Sequence, residues 1–388
     1  MNFEPTQEQR LIADTARQFA EQHLAKKAAQ RDRDGEFPKE ELRRLAELGL
    51  LGVNVPEALG GAQAGVVAYS LALSEIAAAD ASVSVAMAVT NMVAEIICTF
   101  GSEEQKQTFV PRLCSGEAVA GAFALSEAQS GSDAASLRTV AQKIPGGYRL
   151  SGSKLWITSG DKAGVLVVWA RTEEGAAKKG AAGISAFLVT ADTPGFAAGR
   201  PEHKLGLRGS TTVPLTFDGC ELPESALLGS VGEGFKIAMT ALDGGRIGIA
   251  SQAVGVARAA LRAATDYAKE RRQFGQAIAN FQGMQFQYAR CAMEIEAARL
   301  MVYNAARLKD AGQPFVKEAA MAKLFASEVA ERVASQCVEF LGGVGFTREY
   351  PAEKFFRDAK IGKIYEGTSN MQLATIAKIV QGELGGAS

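Results

Sequence analysis

Gly164-Val165-Leu166-Val167-Val168-Trp169 is a short β-branched and aromatic run, and it decides how the middle of this chain folds. Before it, Tyr148-Arg149-Leu150-Ser151 alternates polar with apolar residues. After it come two more strand candidates, Ser185-Ala186-Phe187-Leu188-Val189 and Thr212-Val213-Pro214-Leu215-Thr216-Phe217. Pro214 has no N–H for a ladder, so the last strand is expected at a sheet edge or a bulge. The text from about Val119 to Leu228 therefore predicts a small, mostly antiparallel β domain. Glu173 to Gly183, rich in Ala, Gly and Lys, is its expected mobile loop.

Both flanks read as helices. In residues 1–118, Thr6-Gln7-Glu8-Gln9 and Ser102-Glu103-Glu104-Gln105 each fit a capping box. Pro38 opens a helix that stops near Gly49, and apolar helical text runs from about Val66 to Phe100. In residues 229–388, Phe281, Met284, Tyr288, Cys291, Ile295, Ala298 and Val302 alternate spacings of three and four. That is the apolar seam of a bundled helix, and Met321, Phe325, Val329 and Val333 make a similar stripe. Either stripe serves as core or as subunit interface. The fold class is α+β in three parts: 1–118 helical, 119–228 β, 229–388 helical bundle.

Composition narrows the function. The 388 residues are 47% hydrophobic and 22% charged, ample for a large core. A net charge of -1 provides no field of one sign for nucleic acid or an anionic membrane. Five scattered cysteines without a CxxC spacing point to reduced thiols, and two histidines exclude a His-rich metal centre. The N-terminus has no basic region followed by an apolar one, and no apolar run is expected to reach the length of a membrane span. A cytosolic chain, or the mature form of an imported one, is expected.

Near the C-terminus, Ile364-Tyr365-Glu366-Gly367-Thr368-Ser369-Asn370 sets one carboxylate between apolar residues and a turn. Apolar walls raise a carboxylate's pKa and so make a strong base near neutral pH. The same residues also suit a plain helix start. Leu125 to Asp133 is a loop of small hydroxylated residues able to bond a ligand's polar edge, and a plain turn explains it as well. Trp156-Ile157-Thr158 can cover a flat ring system, or supply a core Trp. Gly342-Gly343-Val344-Gly345 follows a helix rather than a strand, so it is no Rossmann fingerprint. Glu270-Arg271-Arg272-Gln273-Phe274-Gly275 ends a long helix with arginines that suit a phosphate or the helix C-terminus.

Taken together and in order, these segments resemble the acyl-CoA dehydrogenase family along nearly the whole chain. The loop from Leu125 to Ser136, the segment from Glu339 to Asp358 and Tyr365-Glu366-Gly367-Thr368 carry the likeness. The resemblance implies a helical N-terminal domain, a β middle domain and a C-terminal four-helix bundle. It also implies FAD, a homotetramer and electron transfer flavoprotein as oxidant.

Glu366 is then similar to the family's base, taking the pro-R α-proton of an acyl-CoA as the β-hydrogen leaves as hydride to flavin N5. A trans-2-enoyl-CoA results. The Glu366 N–H and a ribityl hydroxyl would bond the thioester carbonyl. Phe123, Leu125, Ser126, Gly131, Ser132, Trp156, Ile157 and Thr158 would hold the isoalloxazine. Arg271, Gln282, Glu339, Gly342 and Gly343 would meet the ADP half, partly across a subunit interface, and Thr368, Ser369 and Asn370 would close over the flavin. Ser132, Phe235, Asp243, Arg246 and Gly367 would face substrate.

One subgroup carries its base just before an arginine on a bundle helix. Here that position is Gly245, before Arg246. Two departures stand out: Gln129-Ser130-Gly131-Ser132 replaces Gly-Ala-Gly-Ser, and Glu339 replaces Gln. His203 to Arg208, Gly245 to Ala250, Tyr303 to Arg307 and Phe356 to Gly362 resemble the short/branched-chain members that take 2-methylbutyryl-CoA. Butyryl-CoA-type members share much of the Gly-Arg-Ile-Gly-Ile text, and a catalytically silent flavin-binding subunit is the reading from another class.

Overall fold

The computed structural model describes residues 4–172 and 180–385. Both capping boxes form: Thr6 with Gln9 opens α1 (Gln7–Phe19), and Ser102 with Gln105 opens α6 (Glu103–Cys114). A π-turn, Ala20–Leu24, continues α1 into α2 (Ala25–Asp34), and α3 (Lys39–Glu47) follows Pro38. The apolar text read as one run divides into α4 (Gly65–Ala79) and α5 (Ala81–Phe100). Asp80 makes the break. Its extended backbone turns the chain, and its carboxylate accepts from Ser82 N at 3.0 Å to cap α5.

α5 corrects a second expectation. Its 20 residues, with mean hydropathy 1.7, are long and apolar enough to cross a membrane. Here 78% of its most apolar window is buried inside the protein, as for a core helix.

The sheet comprises β1 (Gly121–Ala124), β2 (Val140–Ile144), β3 (Gly147–Thr158), β4 (Val165–Thr172), β5 (Ile184–Val189), β6 (Phe196–Ala198), β7 (Thr212–Pro223) and β8 (Leu227–Leu228). Its order is β6-β7-β3-β2-β4-β5-β8, with β1 alongside β4. Among the described strands the β1–β4 and β2–β4 pairs are parallel and the others antiparallel. Of the loop expected over Glu173 to Gly183, residues 173–179 lie outside the described residues, and Gly180–Gly183 forms a 3-10 turn.

Pro214 sits inside the sheet, in β7 between β6 and β3, so the edge alternative is wrong and the bulge is right. The β3–β7 register slips between Lys154/Leu215 and Ile157/Val213. The extra residue on β3 is absorbed with Trp156 in the left-handed region, φ 59°. That bulge turns the indole out of the sheet, where it is 57% exposed.

Among the described residues the rest of the chain carries five helices, α7 (Gly234–Glu270), α8 (Gln282–Asp310), α9 (Val316–Leu341), α10 (Ala352–Ala359) and α11 (Ser369–Gly385), with a short hairpin, Arg272–Gln273 against Gln276–Ala277, between α7 and α8. The predicted seam on α8 buries Cys291, Ile295, Ala298 and Val302, and α9 buries Val329 and Val333. α7 packs against α4, α5 and α9, so residues on several of its faces are held by neighbours from both helical regions. The described cysteines are all unpaired.

Candidate active site

Glu366 lies in the link between a 3-10 turn, Lys360–Lys363, and α11. Its φ is 50° and that of Gly367 is 89°. A non-glycine residue there costs about 1–3 kcal/mol and persists only where its surroundings hold it. Gln372, on the first turn of α11, donates Nε2 to the carbonyls of Glu366 (3.2 Å) and Gly367 (2.9 Å). Lys323, on α9, donates Nζ to Gly367 O at 2.6 Å. Tyr365 Oη donates to Gln252 Oε1 on α7 at 2.8 Å. The φ of Gly367 favours glycine, and a Cβ there would stand 2.8 Å from Gln372 Nε2 and push that amide aside.

The carboxylate faces α7. Oε2 is buried with no hydrogen-bond partner, and a Cβ on Gly245 would come within 2.2 Å of it and 3.3 Å of Met92 Sδ. Burial pushes the Glu366 carboxyl up to about 7, against the opposing pull of the Lys323 ammonium and the Arg246 guanidinium. Lys323 is itself brought down to about 8, by burial first and by Arg246, with Glu366 working the other way. Arg246 is buried and pairs with Asp243 Oδ1 at 2.7 Å. Thus Glu366 can give up or hold a proton near neutral pH while charge is balanced around it. The helix-start reading is right for its neighbour: Thr368 Oγ1 accepts from Met371 N at 3.4 Å.

The loop after β1 is held by Glu127. Its carboxylate accepts from Gln129 Nε2 (2.7 Å), Arg138 N (2.6 Å), Thr139 N (3.0 Å), Thr139 Oγ1 (2.6 Å) and Lys154 Nζ (2.8 Å). Burial alone would raise Glu127, but Lys154 and these bonds outweigh it and bring the carboxyl to about 2. Lys154 also donates to Leu125 O at 3.1 Å, and Leu155 N donates to Ser126 O at 2.9 Å, tying the loop to the strand that carries Trp156. Gln129 is exposed but lays its amide against Glu127.

Gly131 and Ser132 are exposed, and a Cβ on Gly131 would meet nothing. Ile157 is buried in the sheet, and Phe123 packs on Trp169 at 4.2 Å between ring centroids, so both turn their side chains to the core. Thr158, Phe235 and Asp243 are half-buried, and Asn370 is exposed.

Arg271, Gln282, Glu339, Gly342 and Gly343 all lie on the exposed surface. Among the described residues no hydrogen bond joins them to Trp156 or Glu366. Glu339 directs Oε2 to Gln336 Nε2 at 2.9 Å, so its charge has a donor. Beside them stand Phe274, 93% exposed, and Phe346, 85% exposed. A flavin fits this arrangement: a turned-out indole, an open glycine loop, and Ser159 and Ser369 hydroxyls that are buried without partners.

Sequence reasoning missed Lys323, Gln372, Met92, Glu127 as a hub and Lys154. Lys323 left one signal, a cation inside the Ala-rich buried face of α9.

Family models for the acyl-CoA dehydrogenase N-terminal, middle and C-terminal domains match residues 6–117, 122–220 and 232–381. The chain belongs to the acyl-CoA dehydrogenase family. It is 44% identical to the mitochondrial short/branched chain specific acyl-CoA dehydrogenase of Bos taurus, over 97% of this chain and 87% of that one. Butyryl-CoA dehydrogenase from Megasphaera elsdenii superposes with a TM-score of 0.95 at 42% identity, covering 98% of this chain and 100% of that one. A glutaryl-CoA dehydrogenase from Mycobacterium smegmatis in complex with FADH2 gives 0.92 at 34% identity, covering 97% and 95%. This acyl-CoA dehydrogenase is an oxidoreductase acting on the CH–CH bond of acyl-CoA, and its cofactor is FAD.

Proposed function

We infer that Glu366 is the base of this acyl-CoA dehydrogenase and that its substrates are short or 2-methyl-branched acyl-CoA thioesters. The observation that carries the assignment is a buried carboxylate oxygen with no partner, on a group whose pKa is raised to about 7. Bound FAD supplies the oxidant that takes the β-hydrogen with its electron pair. Glu366 takes the α-proton on a carboxylate oxygen as the C–H bond breaks, leaving a trans-2-enoyl-CoA. Among the described residues nothing accepts from the Glu366 N–H, which leaves it to bond the thioester carbonyl as charge develops there.

The loop from Leu125 to Ser132 and the strand end Trp156 to Thr158 hold the isoalloxazine, with Thr368, Ser369 and Asn370 beside it. Ser132, Phe235, Asp243, Arg246 and Gly367 serve the substrate. Arg271, Gln282, Glu339, Gly342 and Gly343 serve the ADP half from a surface continued by a second copy. The exposed Phe274 and Phe346 support such an interface, and with it a homotetramer. Electrons pass on to electron transfer flavoprotein. The three parts 1–118, 119–228 and 229–388 act as the domains, in a bacterial cytoplasm or a mitochondrial matrix.

A straight-chain, butyryl-CoA-type substrate is the second reading, favoured by the 42% identity to the Megasphaera enzyme. Anaerobic titration with butyryl-, isobutyryl-, 2-methylbutyryl-, isovaleryl-, hexanoyl- and octanoyl-CoA separates them. Bleaching of the flavin band first by 2-methylbutyryl- or isobutyryl-CoA supports the branched reading, and by butyryl- or hexanoyl-CoA alone the straight one. Glu366→Gln should keep FAD and bind acyl-CoA yet lose bleaching; a Gln variant that bleaches at the wild-type rate would remove Glu366 as base.

A further inference from the structure

We propose that Lys323 and Gln372 are a positioning pair for the Glu366 carboxylate, clamping the two peptide carbonyls that follow its α-carbon. The proposal rests on Glu366 as base and adds how that side chain is aimed. Neither residue belongs to a motif that carried the reading of the sequence.

Lys323 and Gln372 are both wholly buried, at 0% exposure. They reach the same carbonyl, Gly367 O, from different helices, Lys323 at 2.6 Å from α9 and Gln372 at 2.9 Å from α11. Gln372 adds Glu366 O at 3.2 Å. α9 also supports the 3-10 turn that leads into this link, because a Cβ on Gly362 would stand 3.3 Å from Ser327 Cβ, one turn beyond Lys323. Glu366 is a non-glycine residue at φ 50°, a path it does not hold unaided, so fixing the two carbonyls that follow its α-carbon fixes where its side chain leaves the backbone. Gln372 supplies neutral donors only, whereas Lys323 also brings a charge.

The charged and titratable groups facing Glu366 come from four elements. They are Arg246 with Asp243 on α7, Lys323 on α9, Tyr69 on α4 and Tyr365 on its own segment. Lys323 and Arg246 both favour the carboxylate form. The two members of the pair therefore separate by experiment: removing Gln372 disturbs aim alone, and removing Lys323 disturbs aim and charge together.

The test measures anaerobic flavin bleaching by butyryl-CoA from pH 5.5 to 9 in FAD-loaded Lys323→Gln and Gln372→Met. Each variant is expected to slow bleaching about 10- to 100-fold with acyl-CoA affinity held within about twofold, the cost of a misaimed group. In Lys323→Gln the acid limb of the rate profile should move to higher pH, because a cation favouring the carboxylate is gone. In Gln372→Met it should stay in place. Either variant bleaching at the wild-type rate, or Lys323→Gln losing rate with its acid limb unmoved, would overturn the pair. If Lys323→Gln loses FAD altogether, Gln372→Met decides the clamp alone. Loss of bleaching in Glu366→Gln beside unchanged rates in both variants would sink the clamp and leave the base standing. Retained bleaching in Glu366→Gln would sink the base first.

Discussion

A carboxyl group held at about 7 against an ordinary value of 4.5 binds its proton more tightly folded than unfolded. Such a group favours folding below pH 4.5 and loses that advantage as pH rises through 7. The proposed base is thus a stability cost at the pH where it works, of about 3–4 kcal/mol for a rise from 4.5 to about 7 at 1.4 kcal/mol per pKa unit. Glu366→Gln should unfold at higher denaturant than wild type at pH 8, with the gap closing toward pH 5; a constant gap would contradict the raised pKa. Gly245 supplies a companion test. Its missing Cβ leaves the space that Glu366 Oε2 uses. Gly245→Ala sets a Cβ against that oxygen and should lose about 10²-fold of the bleaching rate, as for a reacting group displaced by an ångström, whereas an unchanged rate would show that Glu366 does not need that space.

Elements show what a single sequence carries and what it does not. Caps and period changes are local, so both capping boxes, the strand runs and the α8 seam were legible. The division at Asp80 was not, because its cue is one carboxylate in otherwise unbroken apolar text. Glu366 was legible through its immediate neighbours. Lys323 and Gln372 were not, because their partner carbonyl is brought to them by packing, 44 residues away for Lys323. Lys154 is hidden in the same way, 27 residues from Glu127.

That buried pair gives the prediction at this scale. Glu127, lowered to about 2, contributes stability that is present above pH 4.5 and lost as pH falls toward 2. Burial drags Lys154 down to about 8 even beside Glu127, so the pair is worth less than the Glu127 shift alone implies. Removing one partner is another matter, for it leaves a buried charge unpaired. Lys154→Met should cost about 3–5 kcal/mol in urea unfolding and lower the FAD content of the purified protein, since the loop and the Trp156 strand come apart together. Unchanged flavin content would detach the pair from the cofactor site.

Across the whole molecule, a chain of buried ions joins the helical start, the sheet region and the segment leading to Glu366. Arg31 on α2 pairs with Glu41 at 2.7 Å and Asp80 at 2.5 Å. Asp32 beside it pairs with Arg357 on α10 at 2.6 Å, and Arg357 also holds Glu353 at 2.6 Å and Leu205 O at 3.1 Å. Lys354, one turn before Asp358, pairs with it at 2.6 Å, and Asp358 accepts from Leu207 N at 2.6 Å. Asp80 therefore serves twice, as cap of α5 and as partner of Arg31. Those two duties can be separated, because Asn caps a helix as well as Asp does but carries no charge. Arg31→Met leaves Asp80 with Lys354 at 3.9 Å as its one cation among the described residues and should cost about 3–5 kcal/mol in denaturant unfolding. Adding Asp80→Asn removes the stranded charge while keeping an acceptor for Ser82 N, so the double variant should recover about 0.5–3 kcal/mol of that loss. A double variant no more stable than Arg31→Met would mean that the guanidinium acts by packing rather than by charge, and that the ion chain is not what holds the three regions together.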